Sequence, residues 1–453
     1  MASITTKEQM NSTNVKELTV NHTYGTWRKQ KGWNPLHIVD AGGCYFVDSE
    51  GKRYLDFSGQ LMCLPLGHQN PAVIQSIVDQ ARKLAYVAPG YTTEVRAALS
   101  KLLLEVLPKG LEKFFFTTSG TDANEAAFKI ARMVTGKSKI ISRYRSYHGS
   151  TAGSIAATGG FRRWAMEPVG KMPGVVFAPE VNCYKCPIGH TYPGCGIACA
   201  EYMEHMIRNE SDVAAVIVEP VVGTNGVLVP PKEYMPRLRE ICDENQVLLI
   251  ADEVMSGWCR TGRWFAMDHW GVVPDILTTA KGITNAAVPL GLCATTQRIA
   301  SCFDDRFFSH GHTYEAHPLM LAPAIASINE MKRLDLASRA TEMGTYLGEK
   351  LTELKSQHPS IGDVRGLGMF WGVDMVKNRE TKSPFNTAEE KIAGKSLLVD
   401  RVASQMMGKG VYISSWISHF VIAPPLIIEK AEIDFAVSVL DEALQLADQE
   451  SQN

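Results

Sequence analysis

Two ionisable side chains follow directly after short apolar stretches. Such stretches are typically buried, and soluble domains rarely bury a charged group. Lys281 lies in "PDILTTAKGITN", and Asp252 ends the apolar part of "VLLIADEV". Burial lowers the pKa of a lysine and makes its amine a nucleophile toward an aldehyde. A buried carboxylate needs a partner, and a protonated ring nitrogen is a suitable one. A lysine alone is nearly always a surface group, so this interpretation depends on further sites.

Two further stretches could bind the phosphate and the ring of a planar cofactor. The stretch "FFFTTSGTDANEAAFKIAR" (114–132) predicts a strand that turns into a helix. Free N–H groups at the helix start, with the Ser119 and Thr121 hydroxyls, would form an anion cradle, although an ordinary helix cap has the same residues. Tyr147, in Tyr-His-Gly after another strand, could stack on the ring or be a core tyrosine. Val254 would pack against a ring held by the nearby aspartate.

The elements that position these side chains are predicted by alternating apolar runs and amphipathic stretches. From about residue 70 to 332, short apolar runs are separated by helical lengths, which is typical of a parallel sheet covered on both faces. Such a sheet binds its ligand at the carboxyl ends of its strands, where all four sites lie. The runs are Phe114–Phe116, Ile140–Ile141, Val175–Phe177, Val213–Val218, Val247–Ala251 and Ile276–Leu277.

The two ends of the chain predict separate units. Residues 37–57 alternate apolar and polar positions around turn signals, which predicts a short antiparallel hairpin. A predicted helix at Pro318–Arg333 opens the last third, where strand and helix signals are mixed. We therefore predict an N-terminal arm and hairpin (1–69) that joins a smaller α/β domain (333–453), with the large domain (70–332) between them.

The order of these motifs resembles the class III, or omega, aminotransferases, which are fold-type I pyridoxal-phosphate enzymes. The resemblance covers about residues 51–425 and includes Glu219-Pro220, "RTGRWFA", "HTYEAHP" and "APPLII". It implies an α/β fold with a mostly parallel central sheet covered by helices on both faces, plus a smaller α/β C-terminal domain. It also implies a ping-pong transamination between an amine donor and a keto acid acceptor, in a homodimer or larger oligomer with shared active sites.

The resemblance assigns a role to each matching position. Lys281 would form the Schiff base with pyridoxal phosphate and move the proton, and Asp252 would bind the pyridine nitrogen. Tyr147 would stack on the ring, and Thr313 would reach the phosphate from the neighbouring subunit. Glu219 would be a buried carboxylate near the site or an ordinary strand-end residue. The positions expected to bind the cofactor are Ser119, Gly120, Thr121, Tyr147, Glu219, Asp252, Val254, Lys281 and Thr313.

Several positions depart from the family pattern and concern the substrate. Met255 stands where many members have Gln, and Thr224 and Val421 replace the Glu and Arg with which ornithine-type members recognise an α-carboxylate. Arg162, in "TGGFRRW", is then the candidate for the substrate's acid group, because a guanidinium binds carboxylates and sulfonates through paired hydrogen bonds. The alternative is a surface arginine. Met62, in "GQLMCLPLGH", would line the amine pocket or pack in the core.

Four cysteines and a histidine fall within one segment, "CYKCPIGHTYPGCGIAC". Cys183, Cys186, Cys195 and Cys199, with His190 between them, are spaced much like zinc ligands, although three residues rather than two separate the second pair. Reduced or oxidisable thiols are the alternative, and catalysis requires no metal here.

In the cysteine segment and in Arg162, the sequence resembles the taurine:2-oxoglutarate aminotransferases and their relatives that act on β-alanine and other omega-amino acids. We therefore expect a donor of the taurine or β-alanine type. The acceptor is 2-oxoglutarate or pyruvate; 2-oxoglutarate requires two acid-binding groups, and the sequence offers one arginine candidate.

The composition argues against several other classes. The chain has 453 residues, 45% of them hydrophobic, and a net charge of −2. It lacks the concentrated basic face that nucleic acids and anionic membranes require. No segment predicts a membrane span, and the polar N-terminus predicts neither a secretory signal nor a transit peptide. We expect a cytoplasmic protein whose partners are small molecules.

Three other functions are weighed against transamination. A nucleotide-binding oxidoreductase would need a glycine fingerprint, which "RGLGMFWG" misses. A non-catalytic pyridoxal-phosphate-binding regulator would usually carry a DNA-binding segment, and none is predicted. An aminomutase or racemase on the same scaffold stays open. Such an enzyme would turn over without a keto acid acceptor.

Overall fold

The computed structural model of the chain describes residues 11–168, 170 and 172–452. The strands in these ranges are β1 (Ile38–Gly42), β2 (Tyr45–Asp48), β3 (Arg53–Asp56), β4 (Leu111–Thr117), β5 (Lys139–Arg143), β6 (Val175–Ala178), β7 (Val213–Val218), β8 (Leu248–Asp252), β9 (Ile276–Thr279), β10 (Gly291–Thr296), β11 (Ile361–Leu367), β12 (Phe370–Asn378), β13 (Ser383–Pro384), β14 (Val411–Tyr412), β15 (Ser414–Trp416) and β16 (His419–Ile422).

The helices are α1 (Ser12–His22), α2 (Gly59–Met62), α3 (Pro71–Lys83), α4 (Glu94–Val106), α5 (Gly120–Thr135), α6 (Ala152–Ala156), α7 (Ala198–Glu210), α8 (Tyr234–Glu244), α9 (Gln297–Ala300), α10 (Pro318–Arg333), α11 (Leu336–Gln357), α12 (Ala388–Ile392), α13 (Leu398–Gly408) and α14 (Lys430–Asp448). Short 3-10 helices occupy Phe161–Ala165, Ala266–His269, Lys281–Thr284 and Ser301–Phe303. Among the helices described, none is long and apolar enough to cross a membrane.

A seven-stranded sheet with the order β4-β10-β9-β8-β7-β5-β6 forms the centre of the large domain. The pairs β5–β6, β5–β7, β7–β8 and β8–β9 are parallel, whereas β10 is antiparallel to both β4 and β9. The prediction of a mostly parallel sheet is confirmed, and each predicted apolar run lies in or overlaps one of its strands.

Helices cover both faces of this sheet because successive side chains of a strand point to opposite sides. In β7, Val216 and Val218 pack with buried residues of α7 and α8. Ala215 and Ile217, whose side chains point to the opposite face, pack with buried residues of α5. Every residue of β7 is buried, which explains its continuous apolar sequence.

The C-terminal region forms a second sheet, with the order β11-β12-β16-β15 and with β13 paired to β12. Strands β1, β2 and β3 form an antiparallel meander, so the predicted hairpin has three strands rather than two. Strand β3 pairs in parallel with β14, which connects the N-terminal strands to the C-terminal region. Helix α10 occupies Pro318–Arg333 as the sequence predicted, and it packs against α3 and α4, whereas α11 packs against β11.

Candidate active site

Lys281 follows β9 and begins a 3-10 helix with a φ of +52°. Gly282 lets this turn lie against Trp258, because a Cβ on Gly282 would come within 2.8 Å of the Trp258 Cβ. Burial lowers the pKa of the Lys281 amine, against the opposing effect of nearby groups that include Asp252. No described residue accepts a hydrogen bond from this amine. Lys281 is therefore a desolvated amine without a fixed partner, as a nucleophile toward an aldehyde requires.

Asp252, at the end of β8, is 4% exposed and is held by three N–H donors. Its Oδ2 accepts hydrogen bonds from Asn124 Nδ2 and His148 Nδ1, each at 2.8 Å. Its Oδ1 accepts the Val254 backbone N–H at 3.1 Å. Asn124 is itself fixed, because the Thr278 hydroxyl donates to its Oδ1 at 2.6 Å. These contacts orient a buried carboxylate that can still accept a hydrogen bond from a ring nitrogen.

The predicted anion cradle lies where α5 begins. Ser119 caps the helix, since its Oγ accepts the Asp122 backbone N–H at 3.2 Å. The N–H groups of Gly120 and Thr121 belong to the first helical turn and have no partner within the helix. A Cβ on Gly120 would come within 2.8 Å of the Val254 Cγ2, so the helix start and Val254 lie against each other. The start of α5, with its open N–H groups, thus lies directly beside Val254, the residue expected to pack against the ring.

Glu219 positions the loop that carries Tyr147. This carboxylate is 3% exposed; its Oε1 accepts the Tyr147 backbone N–H at 2.9 Å and its Oε2 accepts the Gly223 backbone N–H at 2.8 Å. Burial raises the pKa of Glu219. Burial also raises the pKa of the Tyr147 hydroxyl, against the opposing charge of Arg162. Glu219 thus follows β7 directly and is a buried carboxylate that fixes the Tyr147 backbone, while its expected part in cofactor binding stays a prediction.

Arg162 lies inside the site and is only 6% exposed. Its guanidinium carbon is 4.3 Å from the ring centroids of both Tyr147 and Trp416. Its Nη1 and Nη2 each donate to the Thr224 hydroxyl oxygen at 3.2 Å, whereas its Nε is buried without a partner. Burial lowers the pKa of Arg162 to about 10.

The surroundings of Arg162 differ sharply from those of its neighbour in sequence. Arg163 is also largely buried, but it pairs with the Glu167 carboxylate at 2.9 Å. Arg162 forms no ion pair with any described residue, and Trp27 of the N-terminal arm adds a third ring at 5.3 Å. The surface-arginine alternative is thus not what the structure shows. Arg162 is thus a buried cation that pairs with no described anion, and its expected role toward the substrate stays a prediction.

Other predicted residues have different surroundings. Met62 is 3% exposed and packs with Met255 and Val421 in one apolar cluster, so the structure favours core packing over an open wall of the amine pocket. Thr313 is exposed on a surface cavity of about 390 Å³, and its carbonyl accepts the Tyr86 hydroxyl at 3.1 Å. Its expected role toward a neighbouring subunit stays a prediction.

The four cysteines of the 183–199 segment surround one small cavity of about 20 Å³. Cys183 is exposed, whereas Cys186, Cys195 and Cys199 are half-buried, and all four are free thiols. Within the described ranges, no group of three or more Cys, His, Asp or Glu side chains is arranged to hold a metal ion. The structure therefore gives the zinc alternative no preformed ligand set.

Comparison with known proteins decides the family. Residues 27–444 match the model of the aminotransferase class-III family. The chain belongs to the class III aminotransferases. It is 34% identical to a leucine/methionine racemase of Thermococcus litoralis, over 90% of both chains. It is 33% identical to a taurine–pyruvate aminotransferase of Bilophila wadsworthia, over 93% of this chain and 94% of that one.

The solved structures include a taurine:2-oxoglutarate aminotransferase from Bifidobacterium kashiwanohense, in complex with pyridoxal phosphate and glutamate. It superimposes with a TM-score of 0.91 at 35% identity, over 98% of this chain and 99% of that one. Class III aminotransferases depend on pyridoxal phosphate, which is therefore the cofactor of this protein.

The residues around Lys281 fit this cofactor. The open N–H groups of Gly120 and Thr121 suit its phosphate, and the Asp252 carboxylate suits its ring nitrogen. When bound, pyridoxal phosphate supplies an aldehyde and an electron-withdrawing ring that stabilises negative charge at the substrate carbon. With the cofactor held there, the Lys281 amine would be placed to move a proton at that carbon. The expected roles of Lys281 in catalysis and of Arg162 toward the substrate stay predictions.

Proposed function

We propose that this class III aminotransferase transfers the amino group of an omega-amino acid with a terminal sulfonate or carboxylate, of the taurine or β-alanine type, to a keto acid. The observation that carries the proposal is Arg162, a buried guanidinium beside Tyr147 that pairs with no carboxylate among the described residues. An isolated buried charge is unfavourable, so an anionic group of the substrate is the partner expected there.

Two relatives support this substrate class, since both are named for taurine. The residues that replace the ornithine-type pair support it as well. Val421 is fully buried in an apolar cluster and offers no cation, and Thr224 carries no charge to neutralise Arg162. In our proposal Arg162 therefore takes the place of the arginine that binds the acid group in ornithine-type members.

The acceptor in our proposal is pyruvate or 2-oxoglutarate. In a ping-pong reaction the donor and the acceptor occupy the same pocket in turn, so Arg162 would bind an acid group of each. Pyruvate has one carboxylate and needs no other cation, whereas 2-oxoglutarate has two. The named acceptors of the two taurine relatives differ in the same way.

A half-reaction panel tests this function. The holoenzyme is mixed, without a keto acid, with taurine, β-alanine or propylamine, and the absorbance of the lysine-bound cofactor is followed. We expect taurine or β-alanine to react at about 100-fold lower concentration than propylamine, because an ionic hydrogen-bonded contact is worth about 1.5–3 kcal/mol per bond. If propylamine reacts as readily as the acids, the proposal is wrong.

A racemase is the second candidate, because one relative at 34% identity is a leucine/methionine racemase. The same lysine and aspartate would serve proton removal and return in that reaction. It would proceed without a keto acid, on an α-amino acid with an apolar side chain. Chiral chromatography of L-leucine incubated with the holoenzyme alone separates the two: appearance of D-leucine supports the racemase, and unchanged L-leucine supports transamination.

We further propose that the enzyme is a homodimer. Several large aromatic side chains are exposed: Phe307 is 86% exposed, Tyr91 67% and Tyr314 56%. Exposed aromatic groups of this kind are typical of protein interfaces. Light scattering should give the mass of two chains or a multiple of it; a monomer mass would contradict the proposal.

The ten free cysteines fit the reducing cytoplasm, where we place the enzyme.

A further inference from the structure

The Thr224 hydroxyl lies at the edge of the Arg162 guanidinium. Its Oγ1 accepts hydrogen bonds from both Nη1 and Nη2 at 3.2 Å. The backbone at this position is held by His419, whose Nε2 lies 2.9 Å from the Thr224 carbonyl oxygen. No described residue accepts the proton of the Thr224 hydroxyl. This hydroxyl therefore has one donor available beside the guanidinium.

The aromatic rings restrict where an anion can approach Arg162. Tyr147 and Trp416 lie over the guanidinium at 4.3 Å, and Trp27 approaches to 5.3 Å. An anion must therefore bind in the plane of the guanidinium, at its edge. Thr224 occupies the edge between the two terminal nitrogens, which leaves the edge formed by the buried, unpartnered Nε and one terminal nitrogen. An acid group that paired with this edge would share a terminal nitrogen with the threonine hydroxyl, which would bring the two groups close together.

We propose that Thr224 is a specificity-determining residue, whose hydroxyl donates a third hydrogen bond that favours a sulfonate over a carboxylate. This inference rests on the proposed function, in which Arg162 binds the acid group of the donor. A carboxylate has two oxygens, and the paired N–H groups of one guanidinium edge satisfy both of them. A sulfonate is tetrahedral and has a third oxygen, for which the Thr224 hydroxyl is the adjacent donor.

The residue type at this position fits the same conclusion. A carboxylate in place of Thr224 would pair with Arg162 and compete with the substrate. A purely apolar residue would leave Arg162 free but offer no donor to the third oxygen. Threonine leaves the cation free and adds one donor.

Binding of unreactive analogues tests the inference without turnover. Isothermal titration calorimetry measures 2-hydroxyethanesulfonate and 3-hydroxypropanoate, which lack the reacting amine, against the holoenzyme. Thr224→Val removes the hydroxyl at nearly constant volume, and Thr224→Ser is the matched control that keeps it. We expect Thr224→Val to weaken sulfonate binding about 10-fold or more and carboxylate binding less than about 3-fold, as loss of one hydrogen bond to an ion predicts. Thr224→Ser should keep the wild-type preference.

The other outcomes overturn the inference in distinguishable ways. Equal weakening of both analogues would mean that Thr224 only positions Arg162, and no weakening would mean that the hydroxyl does not contact the ligand. If Arg162→Met leaves the binding of both analogues unchanged, the acid site lies elsewhere and the proposed function itself is wrong. Should Thr224→Val alter the cofactor absorbance and so disturb the fold, Thr224→Ala gives the same comparison.

Discussion

Replacing Arg162 with methionine should raise the KM for acid-bearing donors and leave the fold about as stable. Methionine has a similar length and can lie between Tyr147 and Trp416 in place of the guanidinium. The variant removes both the positive charge and the N–H donors expected to bind the donor's acid group. The substitution thus removes the expected substrate contact and also relieves the cost of burying a charge. It should therefore lower activity without a matching loss of stability.

The magnitudes follow from the contacts of Arg162. Loss of two hydrogen bonds to an ionised group, at about 1.5–3 kcal/mol each, corresponds to at least a ~100-fold rise in KM for taurine or β-alanine. Burial lowers the pKa of Arg162 from 12.5 to about 10. At ~1.4 kcal/mol per pH unit, the charged side chain costs about 3 kcal/mol of folding stability, a cost that is present below pH 10 and disappears as the pH rises toward the unfolded pKa.

The contacts of Arg162 with the Tyr147, Trp416 and Trp27 rings, at about 0.5–2 kcal/mol for each cation–π pair, together offset a cost of about this size. At neutral pH we therefore expect Arg162→Met to unfold at about the same urea concentration as the wild type. Arg163→Met is the matched control: Arg163 pairs with Glu167 at 2.9 Å and donates to the Gly159 carbonyl at 2.7 Å. Its loss should lower stability by about 1 kcal/mol and leave KM unchanged.

The assay compares kcat/KM for β-alanine and propylamine in the two variants and in the wild type, together with urea unfolding of each. Arg162→Met should lower kcat/KM for β-alanine selectively, whereas Arg163→Met should affect neither amine. An equal loss for both amines in Arg162→Met, or an unfolding midpoint below that of Arg163→Met, would refute the reasoning.

Three further predictions concern the cofactor site. Asp252→Asn should lower cofactor affinity and turnover by at least about 10-fold, because a neutral amide cannot accept all three N–H donors and the ring nitrogen; unchanged fluorescence titration with the cofactor would contradict this. Gly120→Ala should weaken cofactor binding, since its Cβ would come within 2.8 Å of a neighbouring side chain, whereas Gly90→Ala, with nothing within 4 Å, should not. If Thr313 acts across subunits, mixing inactive Lys281→Ala chains with Thr313→Ala chains should restore one site of normal cofactor affinity per hybrid dimer, and no restoration would place Thr313 in its own subunit's site.

The sequence predicted those parts of the fold that depend on local pattern. Strands such as β7 and β8 are fully buried on both faces, so their apolar runs are continuous and easily recognised. Strand β10 (Gly291–Thr296) was not predicted, although it is buried between β4 and β9. Its sequence, GLCATT, contains glycine and threonine and lacks an extended apolar run, so only its neighbours in the sheet define it as a strand.

Lys281 and Asp252 could be proposed as site residues because each follows an apolar run and because further motifs occur in the same order along the chain. Neither residue was sufficient alone. The partners of Asp252 could not be predicted in the same way, because Asn124 and His148 lie 128 and 104 residues away in the chain. One signal was present: Asn124 is a polar residue one helical turn before Ala127 and Phe128, which are buried on the same face of α5.

The aromatic rings around Arg162 could not be predicted from the local sequence pattern either. Trp27 belongs to the N-terminal arm and Trp416 to β15, so the three residues meet only after both ends of the chain pack against the large domain. The sequence did supply the decisive hint, since the absence of the ornithine-type pair left Arg162 as the candidate for the acid group. The structure added that no described carboxylate neutralises it.

The most direct test of the central claim is to locate the covalent bond between the chain and its cofactor. The holoenzyme is reduced with borohydride, digested, and analysed by peptide mass spectrometry. We predict that the reduced cofactor is attached to the peptide containing Lys281, and that Lys281→Ala abolishes the attachment. Attachment to another lysine, with normal labelling of the Lys281→Ala variant, would contradict the account.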